Sequence, residues 1–399
     1  MDKLIIKGAK LIFEKGICEG LDLVCDKVSG KIVQICPVAQ VQEGDEVLDA
    51  GGAYLSAGFI DIHLHGGGGH DFMDGTQDAF LGAARIHATH GTTAMVPTTL
   101  TCTDEELLRT FEVFRKAKAN NADGARLLGL HLEGPYFSPA QSGAQDPSYL
   151  KKPAPESYLP ILDASQDILR WSVAPELEGA LEFGDELAKR GILASVAHTD
   201  AVYEQVVEAS RHGYSHFTHL YCAMSSVTRR NAFRRAGAVE AAYLLDDTTV
   251  EIIADGVHLP APLLQFVYRF KGPDKIALCT DSMRAAGMPD GQYLLGSLEK
   301  GQTVIVEDGV AKLPDRSAFA GSVATADRLV RTMVSMAGVP LEDAIKMMTL
   351  TPARIMHLDS QMGSLEAGKN ADLVIFDKDI NVLYTIIAAK TIYQSNRQA

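Results

Sequence analysis

Positive charge is scarce in this chain. Its 37 lysines and arginines face 51 aspartates and glutamates, a formal charge of −14. That balance argues against nucleic acid or an anionic membrane as the main partner and leaves room only for a local basic pocket. Long apolar runs are lacking too. No stretch of about 18 apolar residues could span a bilayer, and the opening MDKLIIKGAK has no apolar region followed by a small-residue cleavage site. The expectation is a cytoplasmic protein. Its six cysteines (Cys18, Cys25, Cys36, Cys102, Cys222 and Cys279) form no Cys-x-x-Cys pair and no secreted disulfide framework.

What is present is an ordinary globular composition, 46% hydrophobic and 22% charged over 399 residues. Such a chain has room for one large domain and a smaller one. Short β segments before Leu55 (KLIIKGAKLI, LDLVCD, KIVQIC) share their texture with VLYTIIAAKTIYQ near the end. Residues 1–55 and 361–399 are therefore expected to meet in a small β-sandwich, with residues 56–360 between them. In that centre, eight short apolar runs alternate with amphipathic stretches, at residues 59–65, 92–98, 127–133, 169–175, 192–198, 214–219, 250–255 and 276–281. Helical patterns fill the gaps, including 103–119 with Thr103 as N-cap and one ending at Gly213. The alternation predicts an α/β fold, a (β/α)8 TIM-like barrel. Its least regular strand is 169–175, where Arg170 and Ser172 interrupt the apolar residues.

The stretch GFIDIHLHGGGGHDFMD, residues 58–74, begins with the first of these runs. Strand alternation turns Ile60, Ile62 and Leu64 one way and Asp61, His63 and His65 the other. Two imidazoles so spaced can chelate one divalent ion. The four glycines at 66–69 are read as letting backbone pass close to a ligand where a side chain would compete with substrate. Other candidate donors end later strands: Glu133 in LGLHLEGPY, His198 in LASVAHTD, His219 in SHFTHLY and Asp281 in ALCTDSM. Carboxyl ends of barrel strands are where such folds assemble active sites. Imidazoles and carboxylates crowded on one rim need a metal or a proton to compensate them. Neutral imidazoles and a carboxylate suit one or two divalent ions with a position left open for water. Asp281 then suits a general base that returns its proton to a leaving group. His131 shares the inward face of Glu133 and is a candidate support, while His70, His87, His90, His212, His216 and His357 lack such company.

The ordered set GFIDIHLHG, HLEGPY, VAHTDA, FTHLYCAM, ADGVH, TDSMRAAGMPDGQY and TPARIMHLDSQMGSLEAGKNADLVIFD resembles the N-acetylglucosamine-6-phosphate deacetylase family of the amidohydrolase superfamily, from about Leu4 to Asp377. The resemblance implies a metal-dependent barrel with a β-sandwich built from both ends. It implies that Glu133, His198 and His219 hold the principal ion, that His63 and His65 hold a second, and that zinc or iron occupies them. Asp281 matches the catalytic aspartate. Arg230 and His258 match phosphate-binding positions, with Arg229 a rival in the run TRRNAFRR, and Gln145 matches a residue that hydrogen-bonds the amide carbonyl. Cys222 stands where many relatives have Asn, which leaves the backbone N–H groups of Cys222 and Ala223 for the phosphate. The implied reaction is deacetylation of N-acetylglucosamine 6-phosphate by a homodimer. Its alternatives are the galacto epimer, another N-acyl amine, or a phosphosugar-binding barrel without catalysis. A nucleic-acid deaminase is disfavoured, because its H-x-E and P-C-x-x-C zinc pattern is missing.

Overall fold

The computed structural model describes residues 2–396. Eight strands form the centre: β1 (Phe59–Leu64), β2 (Thr92–Thr99), β3 (Leu130–Glu133), β4 (Ile168–Val173), β5 (Leu193–Val196), β6 (Tyr214–Phe217), β7 (Thr249–Ile252) and β8 (Ile276–Leu278). Each pairs in parallel with the next in chain order. The seam between β8 and β1 is stitched by residues just past β8. Asp281 N–H donates to His63 O at 2.9 Å and His65 N–H to Ser282 O at 2.8 Å. A helix follows each strand: α1 (Gln77–Ala88), α2 (Asp104–Asn120), α3 (Pro155–Ala164), α4 (Ala180–Lys189), α5 (Tyr203–Arg211), α6 (Ala238–Leu244), α7 (Ala261–Lys271) and α8 (Ala326–Ser335). This is the TIM-like (β/α)8 barrel that the alternation predicts.

Local chemistry explains the helix starts. Thr103 accepts from Glu106 N–H, and the Glu106 side chain accepts from Thr103 N–H, a reciprocal cap on α2. Thr76 caps α1 in the same sense, accepting from Ala79 N–H. Both ends of the chain supply strands to one six-stranded sheet, in which Tyr54–Ala57 pairs antiparallel with Leu373–Phe376. A four-stranded sheet from residues 3–49 lies against it, and Leu4, Leu11, Leu23, Leu55, Leu373 and Ile375 share their apolar core. After β8 a three-stranded meander (Gly291–Leu295, Gln302–Glu307 and Val310–Lys312) stands over the barrel mouth, tied to it by the buried Arg284, which pairs with Asp74 at 2.7 Å and donates to Leu294 O at 3.1 Å. Among the described residues, no helix is long and apolar enough to cross a membrane.

The strand bounds differ from the sequence reading in an instructive way. Strands β5, β6 and β8 stop at Val196, Phe217 and Leu278, short of His198, His219 and Asp281. Those three residues have φ of +45°, +28° and +46°, a left-handed backbone that a strand cannot continue through. Run 127–133 is also split, with Arg126–Leu127 pairing separately with β2 before β3 starts at Leu130. Strand β4 is continuous despite Arg170 and Ser172, because both point into the barrel, where polar partners meet them.

Candidate active site

Six side chains meet at the carboxyl ends of the strands. Glu133 ends β3 and is 2% exposed, and its Oε1 lies 3.0 Å from His219 Nε2, 3.3 Å from His198 Nε2 and 3.5 Å from His63 Nε2. Its Oε2 lies 3.3 Å from His65 Nε2. Across the rim, Asp281 Oδ1 sits 3.2 Å from His65 Nε2 and 3.5 Å from His63 Nε2. Two donor groups result, His63 with His65 and Glu133, and Glu133 with His198 and His219, and in each the ligand atoms lie within 4.8 Å of one another.

The outer partners of the imidazoles decide which nitrogen carries a proton. His65 Nδ1 faces Thr98 O at 3.2 Å and His198 Nδ1 faces Gln141 O at 2.8 Å. A carbonyl only accepts, so both Nδ1 atoms donate, and in the neutral rings Nε2 bears a lone pair. His63 Nδ1 likewise donates to Glu251 Oε1 at 2.6 Å. Three lone pairs thus confront carboxylate oxygens, and His63 Nε2 is buried without a hydrogen-bond partner. Such a set requires a cation between donor and acceptor, and a divalent ion with nitrogen and oxygen ligands fits it.

Without an ion, protons must take its place. Burial opposes charge on His63, but the carboxylates of Glu251, Asp281 and Glu133 hold its imidazolium well above the usual range. Burial also opposes charge on His65, yet hydrogen bonds to Asp281 and Glu133 raise it to about 9. Glu133 shows the converse. Desolvation pushes it up, and His63 with the bonds from His198 and His219 holds it well below the carboxylate norm.

Of the supporting layer beneath the rim, the sequence pointed to His131 alone; Glu251, Arg170 and Ser172 were not anticipated. Glu251 on β7 accepts from His63, and its other oxygen pairs with the buried guanidinium of Arg170 on β4. His131 links Thr98 Oγ1 at 3.1 Å to Ser172 Oγ at 2.6 Å, and its ring meets His63 edge-on at 4.7 Å. Burial and Arg170 keep His131 neutral, its pKa pushed well below the ordinary value. The signal in the sequence was polar residues on the inward face of otherwise apolar strands, Glu251 in TVEI and Arg170 with Ser172 in ILRWSV. His63, Glu251 and Cys279 also cluster, but the guanidinium beside Glu251 opposes a second cation there.

Comparison with known proteins gives this architecture its family. The amidohydrolase family pattern matches residues 54–396. The chain belongs to the amidohydrolase family. It is 35% identical over 401 residues to the N-acetylglucosamine-6-phosphate deacetylase of Lysinibacillus sphaericus, covering 98% of both chains. It is 32% identical to the N-acetylgalactosamine-6-phosphate deacetylase of Escherichia coli O157:H7, covering 95% of this chain and 96% of that one. Among solved structures, the N-acetylglucosamine-6-phosphate deacetylase of Pasteurella multocida superposes with a TM-score of 0.91 at 30% identity, over 98% of this chain and 100% of that chain.

The rim of this amidohydrolase opens into a cavity of about 490 Å³. Gln145, Cys222, Ala223 and His258 line it beside the donors, and Phe319 closes one side. Gln145 donates to Glu133 Oε2 at 2.7 Å and accepts from Thr101 N–H at 2.9 Å, so it steadies the shared carboxylate. His258 Nδ1 lies 2.8 Å from Asp255 Oδ2, and its ring packs on Phe319 at 4.7 Å. The N–H of Cys222 is already spent on His219 O at 2.9 Å, which leaves Ala223 as the backbone donor of that pair. Burial pushes the Cys222 thiol up, so it remains a neutral wall group. Arg230 ends the outer strand Thr228–Arg230 of a two-stranded hairpin, and its side chain lies outside those described. Arg229 is exposed and does not line the cavity.

The glycines after His65 serve packing, contrary to the sequence reading. A Cβ on Gly66 would sit 2.1 Å from His70 O, and one on Gly67 would sit 2.7 Å from His87 Nε2 and 3.0 Å from Ile86 Cγ2. Gly68 and Gly69 have φ of +62° and +90°. None of the four lines the cavity. Gly67 and Gly68 let α1 approach the chain just after the histidine pair, where His87 Nε2 donates to Gly66 O at 2.9 Å.

Proposed function

We propose that this amidohydrolase cleaves the acetamide of N-acetyl-D-glucosamine 6-phosphate, releasing acetate and glucosamine 6-phosphate. The observation that carries this reading is the convergence of four imidazoles with Glu133 and Asp281 at the floor of a cavity large enough for a sugar phosphate. The sugar is taken from the named relatives. Glu133, His198 and His219 would hold a principal divalent ion and His63 with His65 a second, the ion being zinc or iron. When bound, such an ion polarises the acetamide carbonyl and makes water acidic enough to act near neutrality.

The residues of the chain do the rest. Asp281, 8% exposed at the cavity floor, takes a proton from the attacking water. It then delivers that proton to the amine nitrogen as the C–N bond breaks. Gln145, anchored through Thr101 and Glu133, directs its remaining amide hydrogen at the carbonyl oxygen where negative charge develops. Arg230, His258 and the Ala223 N–H bind the phosphate, an anion that suits a guanidinium fork. The enzyme works as a homodimer in the cytoplasm. The exposed aromatic pair Phe266 and Phe270 on α7 supports a protein interface, and six free cysteines suit a reducing compartment.

Proton NMR of a reaction with protein of assayed metal content tests the proposal. It should show acetate and glucosamine 6-phosphate in equal amounts, and unchanged substrate would contradict it. A second reading, deacetylation of the galacto epimer, is favoured by the likeness to the Escherichia coli relative. The same assay on that epimer separates the two.

A further inference from the structure

Beneath the converging donors lies a carboxylate that takes no part in the proposed reaction. Glu251 is fully buried on β7. Its Oε1 accepts from His63 Nδ1–H at 2.6 Å and from the backbone N–H of His219 at 3.1 Å. Its Oε2 pairs with Arg170 and lies 3.5 Å from His216 Nε2. Arg170 is itself anchored, donating to Thr218 Oγ1 at 2.7 Å, Ser195 Oγ at 3.0 Å and Ile62 O at 3.3 Å. One carboxylate therefore touches a residue from each of the two donor groups, two strands from β1 and beside β6.

A buried carboxylate is costly unless paired. Here Arg170 compensates the charge, while one lobe remains directed at His63. We propose that Glu251 is a positioning residue for the metal donors: it fixes His63 as the tautomer with a proton on Nδ1, turning the Nε2 lone pair toward Glu133 and Asp281. A hydrogen bond to an anion also makes an imidazole the stronger donor at its other nitrogen. The His219 N–H held by the same oxygen couples the seats through the fold. The inference rests on the reading that His63 and His65 hold a divalent ion, and it is independent of the sugar.

Zinc binding to metal-free protein, measured by chelator competition, tests it with four proteins: wild type, Glu251→Gln, His63→Ala and the double variant. Glu251→Gln should weaken one zinc by about 10- to 100-fold, because the neutral amide oxygen that still accepts from His63 Nδ1–H no longer makes Nε2 the strong donor that the anion does. The zinc affected should be the one that His63→Ala also loses. In the His63→Ala background Glu251→Gln should add nothing, since the glutamine oxygen still accepts from His219 N–H. Because Glu251→Gln strands the Arg170 charge, Glu251→Gln with Arg170→Met carries the same expectation and stands in should the single variant not fold. Unchanged affinity in folded protein, an undiminished effect without His63, or wild-type binding indifferent to His63→Ala would each overturn the role. Zinc binding needs no substrate, so a chain acting on a different amide would still show the loss. A sugar deacetylase that shows no loss would retain its function while refuting the role of Glu251.

Discussion

Replacing Asp281 with asparagine separates proton transfer from structure. Its backbone lies in the left-handed region at φ +46°, which Asn adopts more readily than Ala; Asp281→Ala would add a backbone cost of roughly 1 kcal/mol. The seam bonds at this residue are main-chain, from Asp281 N–H to His63 O at 2.9 Å and from Ser322 N–H to Asp281 O at 2.7 Å, so they survive the change. The asparagine oxygen can keep the place of Oδ1, 3.2 Å from His65 Nε2. What disappears is a group able to take a proton and return it. General acid–base catalysis contributes roughly 10²- to 10⁴-fold, about 2.7 to 5.4 kcal/mol of barrier at 1.36 kcal/mol per tenfold. The assay is acetate release at saturating substrate, with zinc by elemental analysis and a melting curve on the same preparation. The rate constant kcat should fall by that factor with zinc content and melting temperature held. A metal-replete variant with wild-type turnover would refute the reasoning.

Metal-free protein should lose stability as pH rises from 6.5 through 9. The folded His65 value, raised to about 9 by Asp281 and Glu133 against the penalty of burial, contributes stability that is complete below 6.5 and gone above 9; thermal melts of metal-free and zinc-loaded protein across that window check it, the loaded form lacking this dependence. Gly67→Val should destabilise by about 1 to 3 kcal/mol, the usual cost of overpacking, because its side chain meets His87 and Ile86; urea unfolding measures this, and kcat of the folded fraction should be nearly unchanged. Arg230→Met should raise KM for the 6-phosphate sugar at least tenfold, about 1.4 kcal/mol, while leaving the unphosphorylated sugar unaffected; equal effects on both would remove Arg230 from the phosphate site.

How far the sequence could be read depended on what each signal measured. Period-two alternation is a local property, and it turned His63 and His65 together in GFIDIHLH before any fold was known. Strand ends were less legible, since His198, His219 and Asp281 sit beyond the strands in a left-handed backbone that no apolar pattern announces. Arg170 and Ser172 looked like interruptions because apolar counting assumes a greasy barrel interior. This interior is polar, and Arg170 finds Glu251, Thr218 and Ser195 there. Glu251 was missed for a related reason: a lone carboxylate in TVEI has no meaning until the barrel closes and brings β7 within reach of His63 on β1. The glycines were assigned to the wrong neighbour, because close approach is visible in a sequence while the element that approaches, here α1, is not.

The most direct test of the account compares kcat/KM for acetate release from N-acetylglucosamine 6-phosphate, its galacto epimer and the unphosphorylated sugar, using protein of assayed zinc and iron content. The account predicts a large preference for the gluco phosphate over both. Acetate release from none of the three by metal-replete protein would contradict it.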